Sequence, residues 1–175
     1  MNETISIATI ATPLGSISAA SSSRGLGYLG FGDPAPALAA AWARRWQPEA
    51  RLMYNQPAPA ELAAQIAAYF AGDLREWSLP LDLCGTPFQL QAWQALLQIP
   101  YGATRAYSEH AAAIGHPRAV RAVGAANGAN PISIVVPCHR LIGKGGALIK
   151  YGGGLEIKRR LLELEGARVR EGVTG

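Results

Sequence analysis

Metal-binding and thiol chemistry have little to work with in this chain of 175 residues: two cysteines, Cys84 and Cys138, and three histidines, His110, His116 and His139. No CxxC or HxxxH spacing joins them, so a metal site is not expected. Charged residues make up 16% of the chain and aromatics 7%. The apolar runs fall well short of the roughly 18–20 residues that a membrane span needs. The first residues, MNETISIATIATPLG, have neither the basic start nor the continuous apolar core of a signal peptide, so a cytoplasmic location and no membrane partner are expected. A reducing compartment leaves the two cysteines as free thiols. No phosphate-binding loop is present, and no cofactor is expected. What the chain does have is apolar material, 49% of its residues, enough to bury the core of one ordinary domain or two small ones. Its net charge of +4 suits a nucleic-acid partner, as it suits many proteins without one.

Before Pro34, TISIATIATPLGSISAASSSRGLGYLGF alternates apolar and small polar residues, with turn signals at Pro13-Leu14-Gly15 and Ser23-Arg24-Gly25, and predicts two or three short antiparallel strands. After Pro34 the period turns helical. PAPALAAAWARRWQ is rich in alanine, and PAELAAQIAAYFAG sets Leu62, Ile66, Tyr69 and Phe70 on one helix face. REWSLPLDLCG reads as an extended connection, with a domain boundary near residues 78–86.

Thr86-Pro87-Phe88-Gln89 then combines a capping threonine, a proline at the first helical position and a glutamine three residues after the cap. Phe88, Ala92, Trp93, Leu96 and Leu97 are predicted to line the inner face of that helix. Ser108 is predicted to cap a second helix that stops at Gly115, and Pro117 to open a third that ends at Asn127-Gly128. Two short helices about a Gly-His-Pro turn have the outline of a helix-turn-helix. On the third, Val120 and Val123 are spaced to face inward, while Arg118, Arg121, Ala122 and Ala125 share the outer face. Two arginines on a bed of alanines suit close approach to a narrow groove, and equally suit a solvated helix.

The row Pro137-Cys138-His139-Arg140 follows an apolar run. Basic neighbours stabilise a thiolate, which makes Cys138 a candidate nucleophile; a buried structural cysteine is the alternative. On LEIKRRLLELEG, Ile157, Leu161 and Leu164 form an inner stripe, with Lys158, Arg159 and Glu163 outside. Glu156 and Glu163 pair with arginines three or four residues away. Glu165 shares the apolar side, where a carboxylate needs a partner, and His139 is a candidate; a frayed helix end is the alternative.

Three stretches, GTPFQLQAWQALLQIPYGATRAYSEHAAAIGHP, RAVGAANGANPISIVVPCHRLIG and KYGGGLEIKRRLLELEG, closely resemble the O6-alkylguanine-DNA alkyltransferases, also called methylated-DNA-protein-cysteine methyltransferases. The resemblance is dense over residues 79–166. It implies an α/β N-terminal domain of small antiparallel sheet plus helices, residues 1–80, followed by an all-α winged-helix-type domain with a helix-turn-helix, residues 81–175. It implies a monomer that binds double-stranded DNA carrying O6-alkylguanine through the minor groove, with O4-alkylthymine as a second candidate substrate. The damaged base is flipped out and Arg121 takes its place, with Arg118, Ala122 and Ala125 on the DNA face and Tyr107 crowding the phosphate beside the flipped nucleotide. Cys138 is the alkyl acceptor, His139 activates it through a water, Glu165 holds His139, and Asn130 braces the turn. Tyr151 donates toward guanine, and Gly152, Val136 and Pro137 border the substrate. The acceptor is consumed, so one molecule repairs one lesion.

Two positions depart from the family pattern: Lys150 replaces a small residue, and Gly152 replaces alanine or serine. Both bear on substrate range. No sensor module is fused to these residues, which reads as a stand-alone repair protein. A lesion-binding protein without acceptor chemistry is the alternative reading, and it has no use for Cys138. A helix-turn-helix regulator does not need Pro-Cys-His-Arg, and a cysteine hydrolase turns over repeatedly where an acceptor stops after one equivalent.

Overall fold

In the computed structural model, which describes residues 3–32 and 35–168, the alternating segment forms three strands: β1 (Thr4–Thr12), β2 (Gly15–Ser22) and β3 (Gly25–Phe31). β1 and β2 pair antiparallel from Ser6↔Ser21 to Thr12↔Gly15, and β3 continues the meander on β2. A fourth strand, β4 (Arg51–Met53), pairs parallel to β1, so the sheet is mixed with order β3-β2-β1-β4. Three residues carry too little periodicity to be read as a strand. Pro34, where the sequence changes character, lies outside the described residues.

α1 (Ala35–Trp46) lies on this sheet through Ala39, Ala40, Trp42 and Ala43, packed against Ile5, Ile7 and Ala20. Gly27 makes room for the indole, since a Cβ there would stand 2.0 Å from Trp42. Gly25-Leu26-Gly27-Tyr28-Leu29-Gly30 has the letter spacing of a dinucleotide fingerprint, but it runs through an antiparallel strand and opens no helix. α2 (Ala60–Phe70) buries Leu62, Ile66 and Tyr69, with Phe70 half-buried. The chain divides into compact units Met1–Cys84 and Gly85–Gly175.

In the second unit α3 (Pro87–Leu96) starts with the expected reciprocal cap: Gln89 N–H donates to Thr86 Oγ1 and Thr86 N–H to Gln89 Oε1. Ala92, Trp93 and Leu96 are buried and Phe88 is half-buried; Leu97 is exposed, because it caps the helix rather than continuing its inner face. α4 (Tyr107–Ala113) begins before Ser108, and Ser108 is not its cap. The Glu109 carboxylate accepts from Ala106 N–H at 2.8 Å and fixes the start instead. α5 (Val120–Gly128) begins three residues after Pro117, which lies with Arg118 in the turn. Gly115, at φ 79°, ends the preceding helix. β5 (Arg105–Ala106) pairs parallel with β6 (Leu141–Ile142), a small sheet in an otherwise helical unit, and α6 (Leu155–Leu164) follows. No helix among the described residues is long and apolar enough to cross a membrane.

Candidate active site

The apolar run before Cys138 is a buried loop rather than a strand. Ile132, Ile134, Val135 and Val136 are all buried, and Ile134 holds φ 72°, a left-handed conformation that a β-branched residue adopts only under tertiary constraint. Asn130 supplies part of that constraint. Its Oδ1 accepts from Ile132 N–H at 3.0 Å and its Nδ2 donates to Val136 O at 2.8 Å, stitching the loop across the residues that lead to Pro137. Cys138 then opens a single 3-10 turn, Cys138–Arg140, with all three residues buried.

His139 Nε2 donates to Glu165 Oε1 at 2.8 Å, with both side chains fully buried. The same carboxylate receives Arg140 Nε at 2.8 Å, Arg140 Nη2 at 2.9 Å and the Gly102 N–H at 3.3 Å. Arg140 also donates to Ile99 O. Glu165 is the C-cap of α6 and is only 5% exposed, so its helix end is anchored, not frayed. Burial pushes its carboxyl up, but the hydrogen bonds from His139 and Arg140 and the charge of Arg140 outweigh this and hold it well below the usual carboxylate range. Burial in turn lowers the pKa of His139, against the opposing pull of Glu165, so the imidazole is neutral at pH 7. With Nε2 carrying the proton toward Glu165, Nδ1 is the basic nitrogen, and among the described residues no group donates to it.

Burial raises the Cys138 thiol, opposed by an Asn130 hydrogen bond, the charge of Lys158 and nearby backbone N–H groups. At rest it is a thiol, so a base must act on the spot. Cys84 is also raised, by burial and then by Asp82, whose Oδ1 its thiol faces at 3.9 Å, and no histidine adjoins it in the sequence. Lys158, expected outside, is fully buried, and its Nζ donates to Leu141 O at 2.5 Å and Ile149 O at 2.8 Å. Burial pulls its pKa down to about 8. Of the predicted inner stripe, Leu161 is buried and Ile157 and Leu164 are half-buried, with Leu162 buried beside them. Arg159 pairs with Glu156 and Glu163 on the outer face.

A cavity of about 960 Å³ lies in the same unit, walled by α5 on one side and the segment 143–155 on the other. Tyr107, Arg121, Asn127, Lys150, Tyr151 and Gly152 line it. Burial pushes the phenols of Tyr107 and Tyr151 up, and ionisation of the Cys138 thiol would push both further. The Tyr151 hydroxyl is enclosed, with Ser133 alongside. Asn127 Nδ2 donates to Tyr107 Oη and Cys138 O, both at 3.3 Å, joining α5 to α4 and to the cysteine. A Cβ at Gly152 would meet nothing within 4 Å. Val136 and Pro137 are buried and are not among the residues that line the cavity.

Arg121, Ala122 and Ala125 are exposed on α5. Arg118 is exposed too, but it precedes the helix and does not share its face. Val120, expected inside, is 36% exposed because it borders the cavity, while Val123 is buried. Sequence reading therefore missed Arg140, Asn127 and Lys158. Lys158 had one signal: it stands seven residues before Glu165, on the same face of α6. No cluster of three or more metal-ligating side chains occurs among the described residues.

Residues 5–83 match the family model for the ribonuclease-like domain of 6-O-methylguanine DNA methyltransferase, and residues 87–167 match its DNA binding domain. The methylated-DNA–protein-cysteine methyltransferase of Mycobacterium leprae (strain TN) is 59% identical over 115 residues, 66% of this chain and 70% of that protein. The protein of that name from Methanosarcina barkeri is 45% identical over 158 residues, 89% and 94% of the two chains. A crystal structure of Mycobacterium tuberculosis OGT in complex with DNA is similar with a TM-score of 0.79 at 43% identity, covering 95% of this chain and 96% of that one.

Proposed function

The chain belongs to the 6-O-methylguanine DNA methyltransferase family, and from that premise we propose how its residues carry out alkyl-transfer DNA repair. The protein moves an alkyl group from DNA onto its own Cys138. The substrate is O6-alkylguanine in duplex DNA, approached through the minor groove by α5, with the damaged nucleotide flipped into the cavity and Arg121 filling the vacated stack. Arg118 and the small side chains of Ala122 and Ala125 meet the groove, and Tyr107 crowds the phosphate beside the flipped nucleotide. O4-alkylthymine is the second candidate substrate.

His139 Nδ1, through a water, takes the thiol proton while Glu165 stabilises the imidazolium that forms. The sulfur attacks the alkyl carbon in line, the carbon–O6 bond breaks, and its electron pair passes into the purine. Tyr151 donates toward the base as it leaves, and the proton removed from sulfur ends on guanine N1, so neutral guanine departs and a thioether remains. Asn130 holds the loop that aims Cys138. The protein acts as a monomer in the cytoplasm, where both free cysteines stay reduced.

One observation carries this reading: a buried histidine, held at 2.8 Å by a buried carboxylate, directly follows a buried thiol in the unit that bears the exposed arginine helix. Intact-protein mass spectrometry after incubation with excess duplex carrying O6-methylguanine tests it. The expected result is a gain of one methyl group, on Cys138, and none in Cys138→Ser. Repeated turnover, or methylation of Cys84 instead, refutes it. Retention of the acceptor thiol speaks against the non-catalytic lesion-binding alternative.

A further inference from the structure

Lysine is among the residues least often fully buried, yet Lys158 has no exposed surface, and no carboxylate pairs with it among the described residues. Arg140, buried nearby on the Cys138 turn, has Glu165; among the described residues the hydrogen-bond acceptors of Lys158 are the two carbonyls of Leu141 and Ile149. Those carbonyls bracket the segment 142–148. Leu141 is anchored in β6 by its pairing with β5. Between them the chain contains Gly143, Gly145 and Gly146, the last two at φ 76° and 92°, a stretch with little stiffness of its own. Its internal closure includes Gly143 N–H to Ala147 O at 2.7 Å and Gly146 N–H to Gly143 O at 3.1 Å. Gly143, Lys144, Leu148 and Ile149 form part of the cavity wall. On the other side, the Lys158 ammonium stands 5.7 Å from the ring of Tyr107, also a cavity residue.

We propose that Lys158 is a positioning residue for the alkyl transfer: it latches the loop 142–148 by holding Ile149 to Leu141, and so sets the cavity wall against which the flipped base is held. This rests on the alkyl-transfer reading. The latch sits on α6 two turns before Glu165, so one helix face fixes both the cavity wall and the histidine.

Lys158→Met keeps the length and apolar bulk of the side chain and removes its donors. Hydrogen exchange of the full-length chain is expected to speed up roughly tenfold or more at residues 142–149, the factor for losing a charge-assisted hydrogen bond, while α3 is unchanged. The single-turnover rate constant at saturating O6-methylguanine duplex is expected to fall several-fold, with affinity for undamaged duplex within twofold of wild type. A merely structural lysine would instead raise exchange throughout the unit. Unchanged exchange in the loop, or a rate loss that disappears at saturating DNA, overturns the proposal. If the variant does not fold, hydrogen exchange of the wild-type lysine ammonium groups decides: slow exchange at Lys158 supports the latch, and exchange as fast as at exposed Lys144 and Lys150 overturns it. Absence of any methyl transfer by the wild type would refute the functional reading alone and leave the exchange result standing.

Discussion

Replacing Glu165 by glutamine changes one oxygen into an NH2 group where four donors converge. His139 Nε2, Arg140 Nε, Arg140 Nη2 and the Gly102 N–H all point at the two carboxylate oxygens, between 2.8 and 3.3 Å. Glutamine can satisfy the donors at one oxygen only, and its NH2 then opposes Arg140 together with either His139 or the Gly102 N–H. Arg140, 5% exposed, loses its counter-charge. Removing one partner of a buried ion pair costs about 3–5 kcal/mol, so Glu165→Gln is expected to lower folding stability by about that amount in urea denaturation followed through the fluorescence of buried Trp93. The rate should fall as well. Glu165 raises the basicity of His139 against the burial that lowers it, so without the carboxylate His139 becomes a weaker base. A loss of up to about a hundredfold is expected, similar on O6-methylguanine duplex and on free O6-benzylguanine, because both need the same sulfur activated. The acid limb supplies a third readout. An unfolded chain protonates Glu165 near its ordinary 4.5, while the folded protein holds it ionised to lower pH. The contribution of Glu165 is therefore complete above about pH 4.5 and lost as pH falls below it, and the variant should lose that part of the acid-side slope. A stability change under about 1 kcal/mol, together with unaltered rates, would refute the picture of a charged, buried histidine clamp.

Arg121→Ala is expected to slow repair of duplex DNA while leaving reaction with free O6-benzylguanine near wild type, since only the duplex has a stack to refill; equal losses would show that Arg121 is not the intercalating side chain. Gly152→Ala puts a methyl group into open space within the cavity, and should lower the ratio of ethyl or benzyl to methyl transfer rates; an unchanged ratio would mean neighbours already fill the gap. Below the depressed pKa of His139 the imidazole is protonated and cannot take the thiol proton, so the single-turnover rate should drop on the acid side of pH 6.5, and a flat profile through that range would argue against His139 as base.

The strands of the first unit, the capped start of α3 and the helix-turn-helix outline were legible because each rests on local chemistry: alternation, turn residues, a threonine three residues before a glutamine. Cys138, His139 and Glu165 were legible as candidates because an odd residue in an apolar setting needs a partner. Boundaries were less so. Ser108 looked like a cap until the Glu109 carboxylate reached back to Ala106 N–H, and Pro117 looked like a helix start until it turned out to shape the turn before Val120. Spacing alone turns Val120 and Leu97 inward, but one borders a cavity and the other sits past the end of its helix. Spacing fixes which residues share a face, not whether something covers that face.

Lys158 shows the deeper limit. A helical wheel puts a lysine outside by default, since burying an ammonium group costs several kcal/mol unless it is paired or hydrogen-bonded, on the order of what one ion pair supplies. The carbonyls that make the burial tolerable belong to residues 141 and 149, and nothing in α6 announces them. Once they are seen, the two charges on the inner face of α6 explain each other. Seven residues at 1.5 Å each separate them by roughly 10 Å along the helix axis. The cation acts on Cys138 and lowers its pKa; the anion accepts from His139 and stabilises the protonated ring. Burial favours the neutral thiol and neutral imidazole at rest, whereas the two charges favour the state in which the proton has moved from sulfur to nitrogen. A thioether is not readily cleaved, so once the alkyl group is on sulfur the acceptor is consumed. A site built this way is quiet before it meets its substrate and spent afterwards, as a single-use acceptor must be.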